Sequence, residues 1–356
     1  MSQAHKSRVP AQPDTRVPAT LEEALDPTWL GGALAGAAGG KAVTSVEQVE
    51  VIRTVATKVR FAVTFADGAV GDFCLKGLLD VDEMTARGGP TCVLEADFYG
   101  KVAPVTEVRV PEAVATVIDR EKQQAVTIMR DLIVEGATFC SALDPFTADD
   151  AVQSLEQLSR LHAKSAFLKG ADWIRPRAAE LAKMSYVTPE MLQELLDGPR
   201  GDNLSPKVRN AQNVAAAMKA LAARDAERPE FMIHGDAHAG NIFRTPDGMG
   251  LIDWQLLQRG GWALDIAYHL NAVLPTEIAE MEERRLMGEY LAMMRGHGMA
   301  MPDEEQAWGQ YREAVAYGLY LWSITRRVDP PITNQFADRL GKAVMRHDSF
   351  GLLGVV

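Results

Sequence analysis

The chain has 356 residues, which suits about two domains of ordinary size or one large one. Its 37 Lys and Arg against 48 Asp and Glu leave a net charge of −11, and 47% hydrophobic residues suffice to bury a core. This excludes disordered and collagen-like chains and argues against nonspecific binding to nucleic acid or to an anionic membrane, which calls for a basic surface.

Cys74, Cys92 and Cys140 make no disulfide framework and no CxxC, so a reducing, cytoplasmic setting is expected. The longest apolar stretch, Ala314–Ile324, has 11 residues. A membrane span needs ~20, so a core helix is expected there and no membrane partner. Lys6 and Arg8 have no apolar stretch behind them, so no secretory signal is expected.

In chain order, residues 1–20 hold Pro10, Pro13 and Pro18 among polar residues and read as a flexible arm. Leu21–Leu30 reads as a short helix. The Gly- and Ala-rich run Gly31–Gly40 lacks the GK[ST] ending of a phosphate loop and reads as a linker or a small-residue helix contact. Strand-like alternation follows. Val49 and Val51 mark one strand, Phe61, Val63 and Phe65 a second, and Asp67-Gly68 a hairpin turn into a third over Ala69–Lys76. Thr91–Val102 reads as a helix, with Leu94 and Phe98 four apart. Two more strands, Ala113–Ile118 and Gln123–Met129, flank the polar turn Asp119–Lys122. After about residue 145 the pattern turns helical, opening on Thr147 as an N-cap with Asp149 and Asp150 behind it. One strand-like island, Phe231–Trp254, interrupts the helices. The predicted class is α+β: a β-rich N-terminal lobe and a mainly helical C-terminal lobe.

The island reads Phe231-Met232-Ile233-His234-Gly235-Asp236-Ala237-His238-Ala239-Gly240-Asn241, then Leu251-Ile252-Asp253-Trp254. Buried carboxylates are rare unless they are paired or hold a metal. Asp236 and Asn241 are five apart, as are the Asp and Asn of the kinase loop H-R-D-x-x-x-x-N, and Asp253 follows 12 residues later, where a metal-binding Asp would lie. Phosphoryl transfer uses such a set: a carboxylate for the attacking hydroxyl, and hard oxygen ligands for Mg²⁺.

H-G-D-A-H-A-G-N with L-I-D-W resembles the aminoglycoside phosphotransferase and choline kinase group of small-molecule kinases, which includes ecdysteroid-kinase-like and macrolide phosphotransferase branches. The group's motif is H-G-D-x-H-x-x-N followed by I-D-W or I-D-F. The resemblance implies a bilobal protein-kinase-like fold with a nucleotide-binding lobe over 21–132 and a helical lobe over 133–356 carrying the catalytic loop and acceptor pocket. It implies ATP, or alternatively GTP, with Mg²⁺ as cofactors. It makes Asp236 the catalytic base, Asn241 and Asp253 the Mg²⁺ ligands, and His234 and His238 braces of the loop. Lys76 would hold the α/β-phosphates and Glu95 would hold Lys76, the latter in a segment resembling the group's E-A-x-F-Y helix. Cys74 shares a strand face with Lys76 and would roof the adenine. Met129, the Arg130 carbonyl and the Leu132 N–H fall at the group's interlobe hinge, beside adenine. The Arg53–Lys58 loop departs from the pattern. It has no glycine, and Thr54, Thr57 and backbone N–H groups remain for the phosphates, with charge from Arg53 or Lys58. Asp265 and His162 are expected to be structural, the first through backbone hydrogen bonds and the second in the core.

The expected partner is a hydroxylated small molecule, with no nucleic acid, and the chain a monomer or homodimer. Two other classes compete. His234, Asp236 and His238 at alternate positions would share one face of a strand and suit a metal-dependent hydrolase. The atypical phosphate loop would suit a nucleotide-binding pseudokinase.

Overall fold

The computed structural model describes residues 16–54, 56–183 and 187–355. The arm expected over 1–20 lies outside the described residues as far as residue 15, as does Val55 of the expected phosphate loop. The chain forms two compact units. One comprises the described residues up to Thr138 together with Ile252–Leu256, and the other comprises Phe139–Leu251 and Leu257–Val356.

The first unit opens with α1 (Leu21–Ala24) and α2 (Pro27–Ala33), where the sequence suggested one helix to Leu30. Pro27 brings no N–H, so the first helix stops. The Asp26 carboxylate accepts from the Trp29 N–H at 2.8 Å and starts the second. Gly31, Gly32 and Ala33 belong to α2, and the glycines that follow lead into β1 through turns. Five antiparallel strands come next: β1 (Val43–Arg53), β2 (Thr57–Phe65), β3 (Val70–Gly77), β4 (Ala113–Asp119) and β5 (Gln124–Arg130), in spatial order β1-β2-β3-β5-β4. Gly68 turns the β2–β3 hairpin at φ +83°, a conformation glycine takes without strain. Val59, Phe61 and Val63 alternate inward along β2. With Phe73, Leu75, Val126 and Ile128 they pack against Leu30, Ala33 and Leu34. The opposite face carries Cys74 and Lys76 on β3, in register with Met129 and Thr127 on β5. Between β3 and β4 lie α3 (Glu83–Ala86) and α4 (Gly89–Asp97), and Cys92, Val93 and Ala96 of α4 pack with Leu78 and Ala125. The helix expected to run on to Val102 instead widens into one i→i+5 turn over Phe98–Val102, a deformation that recurs at functional sites.

The chain passes through β6 (Thr138–Phe139) into the second unit. There α5 (Ala148–His162) starts on the expected cap: Thr147 and Asp150 exchange bonds of 3.1 and 2.9 Å in a capping box. Then come α6 (Arg177–Leu181), α7 (Pro189–Asp197) and α8 (Ala211–Asp225). The island resolves into β7 (Phe231–Ile233), β8 (Ile242–Thr245) and β9 (Gly248–Leu251), and a short β10 (Gln258–Gly260) pairs antiparallel with β7. The helices α9 (Trp262–Val273), α10 (Thr276–Gly296), α11 (Glu304–Ile324), α12 (Pro330–His347) and α13 (Ser349–Leu352) complete it. All twelve residues of α9 are buried, because the helix packs against α5, α10, α11 and α12 at once. A mostly apolar sequence is what such a position requires, and its buried polar side chains Asp265, His269 and Asn271 are each hydrogen-bonded. Ala314–Ile324 lies in α11, and no helix among the described residues is long and apolar enough to cross a membrane.

The start of α9 depends on a close approach. The Gly261 N–H donates to the buried Asp225 carboxylate at 3.0 Å, and a Cβ on Gly261 would stand 2.4 Å from that oxygen. Gly261→Ala is expected to destabilise the protein by about 2 kcal/mol through overpacking and a lost N-terminal bond. Urea denaturation of the two proteins measures this, and equal midpoints would show that the approach is not constraining.

Candidate active site

Three residues expected to act together from sequence do meet in the first unit. Lys76, near the end of β3, places Nζ 3.0 and 2.9 Å from the two Glu95 carboxylate oxygens and 2.9 Å from Asp253 Oδ1. Glu95 faces the strand from α4 and also accepts the Trp254 N–H at 3.2 Å. The Trp254 ring stacks on Phe98 with centroids 3.7 Å apart, which fixes the Ile252–Leu256 segment against the widened turn after α4. Asp253 itself has φ +65°, a conformation that Asp tolerates better than most residues. Burial alone would pull the Lys76 ammonium down, but Asp253 and Glu95 more than reverse this and hold it above the usual lysine range. Two carboxylates share one ammonium, so the group carries an excess negative charge. Asp253 is its more exposed member, at 26% against 4% for Glu95.

The other expected residues of this unit spread around that group. Cys74 and Met129 are register partners on adjacent strands, on the Lys76 face, and burial pushes the Cys74 thiol up to about 11. The Arg130 guanidinium lies 5.1 Å from the Phe73 ring centroid, and Leu132 sits in the turn after β5. Thr54 lies at the tip of the β1–β2 hairpin with its hydroxyl turned onto the Ala56 carbonyl at 3.0 Å, and Arg53 pairs with Asp80 at 3.3 Å. Sequence reasoning passed over Asp131, a buried carboxylate paired with Arg60 at 2.8 Å and bound to the Ile133 N–H at 2.9 Å. Its place between Arg130 and Leu132 was the available signal.

In the second unit the loop after β7 is held from every side. Asp265, one turn into α9, accepts from the His234 N–H and the Gly235 N–H at 2.7 Å each, and from His162 Nε2 at 3.1 Å. Burial would raise this carboxyl. The His162 bond and the backbone donors outweigh it and hold Asp265 below the usual carboxylate range. The backbone role expected of Asp265 and the core role expected of His162 are what the bonds show. Tyr317 donates to the Gly235 carbonyl at 2.8 Å, and His269 Nδ1 to the Ala237 carbonyl at 2.7 Å. Asn241 Nδ2 donates to the Asp236 backbone carbonyl at 2.8 Å, so its amide oxygen is the atom it can offer a cation. Asp236 Oδ1 accepts the Tyr268 hydroxyl at 3.0 Å.

The strand that would align His234, Asp236 and His238 stops at Ile233. Beyond it His234 Nδ1 accepts the Asp236 N–H at 3.2 Å and His238 Nδ1 the Gly240 N–H at 3.0 Å. Among the described residues no three His, Cys, Asp or Glu side chains gather in metal-holding geometry. The alternate-position ligand set of the hydrolase alternative is therefore not formed, because the backbone turns instead of extending.

An antiparallel-sheet unit with a buried Lys–Glu pair, joined to a helical unit with a pinned Asp–Asn loop, is the α+β architecture of protein-kinase-like enzymes. A family model described as "Phosphotransferase enzyme family" matches residues 84–308, and the chain belongs to that family. It is 22% identical over 234 residues to the methylthioribose kinase of Bacillus thuringiensis subsp. konkukian, an alignment covering 62% of this chain and 59% of that protein. The chain thus spans about three-fifths of the length of the curated relatives it matches. Among solved structures it resembles a choline kinase from Cryptosporidium parvum, at 10% identity with a TM-score of 0.50 over 85% of this chain and 88% of that one. A macrolide 2'-phosphotransferase from Brachybacterium faecium is similar at 17% identity with a TM-score of 0.44, over 85% and 93%.

The His269 bond makes the loop sensitive to acid. Burial depresses this imidazole from 6.5 to about 4. Nδ1 must donate to a carbonyl, so Nε2 accepts from Ser154 at 2.8 Å and the neutral ring suits both. The fold therefore gains stability that is present above pH 6.5 and is lost as pH falls toward 4, by about 3 kcal/mol for this group alone. Denaturation midpoints at pH 7.5 and 5.0 are expected to differ less in His269→Asn than in the native protein. An identical pH slope in both would count against the assignment.

Proposed function

We propose that the protein transfers the γ-phosphoryl group of ATP to a hydroxyl of a small molecule in a Mg²⁺-dependent reaction. The observation that supports it most is the buried Lys76–Glu95 pair with Asp253 on the same ammonium, because a strand lysine fixed by a helix glutamate is what grips nucleotide phosphates in kinases. In this reading Cys74 and Met129 line the adenine side of the sheet, the Arg130 carbonyl and Leu132 N–H bond the base, and Thr54 lies with the hairpin that covers the phosphates. The first unit is then the nucleotide-binding lobe and the second carries the acceptor pocket.

Each unit, taken by itself, offers a hard oxygen donor that suits Mg²⁺. Asp253 is the partly exposed member of a carboxylate pair with one ammonium between them, and Asn241 has its amide oxygen to offer. Both are hard oxygen ligands, and a divalent cation would balance the excess charge. When bound, the ion would neutralise the oxygens of the transferred phosphoryl group. Asp236 takes the proton of the acceptor hydroxyl as the new O–P bond forms and the bond to the leaving ADP oxygen breaks. The pinned His234–Asn241 loop holds that carboxylate in place, so positioning and charge placement carry the catalysis. The relatives' names span methylthioribose, choline and a macrolide. The acceptor proposed here is accordingly a class, a hydroxyl-bearing small molecule.

The test is nucleotide consumption with and without Mg²⁺ across a panel of hydroxylated acceptors that includes methylthioribose and choline, using ATP and GTP. Phosphorylated acceptor is expected in step with ADP. Asp236→Asn is expected to reduce turnover about 10²–10⁴-fold, with its melting temperature unchanged. Undiminished turnover in that variant would remove Asp236 as the base. Nucleotide binding with no turnover on any acceptor would favour the pseudokinase reading.

A further inference from the structure

Tyr268 follows Asp265 by three positions, so both lie on one face of α9. One helix face therefore holds the backbone of the His234–Gly235 step and the side chain of Asp236. Trp322, near the end of α11, donates its indole N–H to the Tyr268 hydroxyl at 2.8 Å. The indole nitrogen can only donate, so the phenol oxygen accepts there, and its single proton points to Asp236 Oδ1 at 3.0 Å. Trp322 cannot easily swing away. Its ring stacks on Phe336 with centroids 4.1 Å apart, and its backbone carbonyl accepts from Arg200 at 2.9 Å. Burial, with the Asp236 charge adding to it, pushes the Tyr268 hydroxyl well above the usual tyrosine range, so it keeps its proton. The second carboxylate oxygen is more lightly held: Asn241 Nδ2 stands 3.4 Å from Oδ2 and His238 Nε2 3.7 Å.

We propose that Tyr268 and Trp322 form a relay that anchors Oδ1 of Asp236 and so leaves Oδ2 as the oxygen that receives the acceptor's proton. Both are positioning residues, and the role rests on Asp236 being the proton acceptor. The relay sets the angle at which the carboxylate meets the hydroxyl, so its loss reduces the rate of the chemical step and leaves ground-state binding intact.

The test uses Tyr268→Phe, Trp322→Phe and the double variant, with Asp236→Asn alongside. Rates are taken with whichever panel acceptor turns over, or with water if none does. Tyr268→Phe is expected to lower kcat about tenfold with KM for nucleotide within twofold, measured well below a melting temperature that falls because the buried Trp322 indole N–H loses its acceptor. Trp322→Phe keeps an aromatic ring toward Phe336 but removes the indole N–H together with part of the ring volume, and about a threefold loss in kcat is expected, with a lowered melting temperature. In the Tyr268→Phe background the tryptophan change should add nothing, since the relay is already cut. Independently of activity, the Trp322 indole N–H resonance should move in Tyr268→Phe. Additive losses, a kcat equal to the native value, or a rise confined to KM would overturn the relay. An inactive Asp236→Asn beside a fully active Tyr268→Phe would reject the relay alone. A fully active Asp236→Asn would reject the base assignment and the relay with it.

Discussion

A buried carboxylate on which three donors converge organises the helical unit. Asp265 carries its charge in the core because His162 and the N–H groups of His234 and Gly235 satisfy it, and each bond needs a different element in place. His162 comes from α5, the backbone donors follow β7, and Asp265 lies in the first turn of α9, where the helix dipole favours an anion. An unpaired charge in that position would cost several kcal/mol. The carboxylate thus makes the loop conformation a condition of folding. His162 in turn meets the Tyr290 hydroxyl at 2.6 Å, which extends the requirement into α10.

The same logic governs the sheet unit at smaller scale. Lys76 is buried near the end of β3, and an ammonium there demands a partner. Glu95 supplies it from α4, and its second duty, accepting the Trp254 N–H, draws in a segment far along the chain. The Phe98–Trp254 stack closes the arrangement with apolar contact. The widened turn after α4 begins at Phe98, the ring on which Trp254 stacks, so the helix deviates from regularity at this contact.

Much of this was legible from spacing. The five-residue interval from Asp236 to Asn241, Lys76 at the end of an alternating strand, and the Thr147 cap are local patterns, and local patterns report local geometry. The two hairpins followed from turn chemistry at Asp67-Gly68 and Asp119–Lys122, while the pairing of β3 with β5 was not legible because it joins strands separated by α3 and α4. What stayed hidden depends on distant pairs. Tyr317 reaches Gly235 across 82 positions, and Trp322 reaches Tyr268 across 54. In a helix buried on all sides, such as α9, periodicity cannot say which residue faces the loop. The break at Asp26-Pro27 was visible in principle, since proline stops a helix at the residue before it. The end of β7 at Ile233 was not, because His234 has no side-chain preference that forbids a strand.

In each unit two of the carboxylates expected from sequence differ in standing, and the difference is one of burial. In the helical unit the Asp265 side chain is fully buried with three donors, while that of Asp236 is 25% exposed. In the sheet unit Glu95 is 4% exposed and bound through both oxygens, while Asp253 is 26% exposed. A carboxylate buried among its donors is held in one orientation, which suits a scaffold. A carboxylate that is about a quarter exposed can be reached by a proton donor or a cation, which suits a reagent. Asp236 and Asp253 are the pair that the proposed phosphoryl transfer uses, and Asp265 and Glu95 are the pair that hold their surroundings still. Burial therefore separates reagent from scaffold among four residues that composition treats alike.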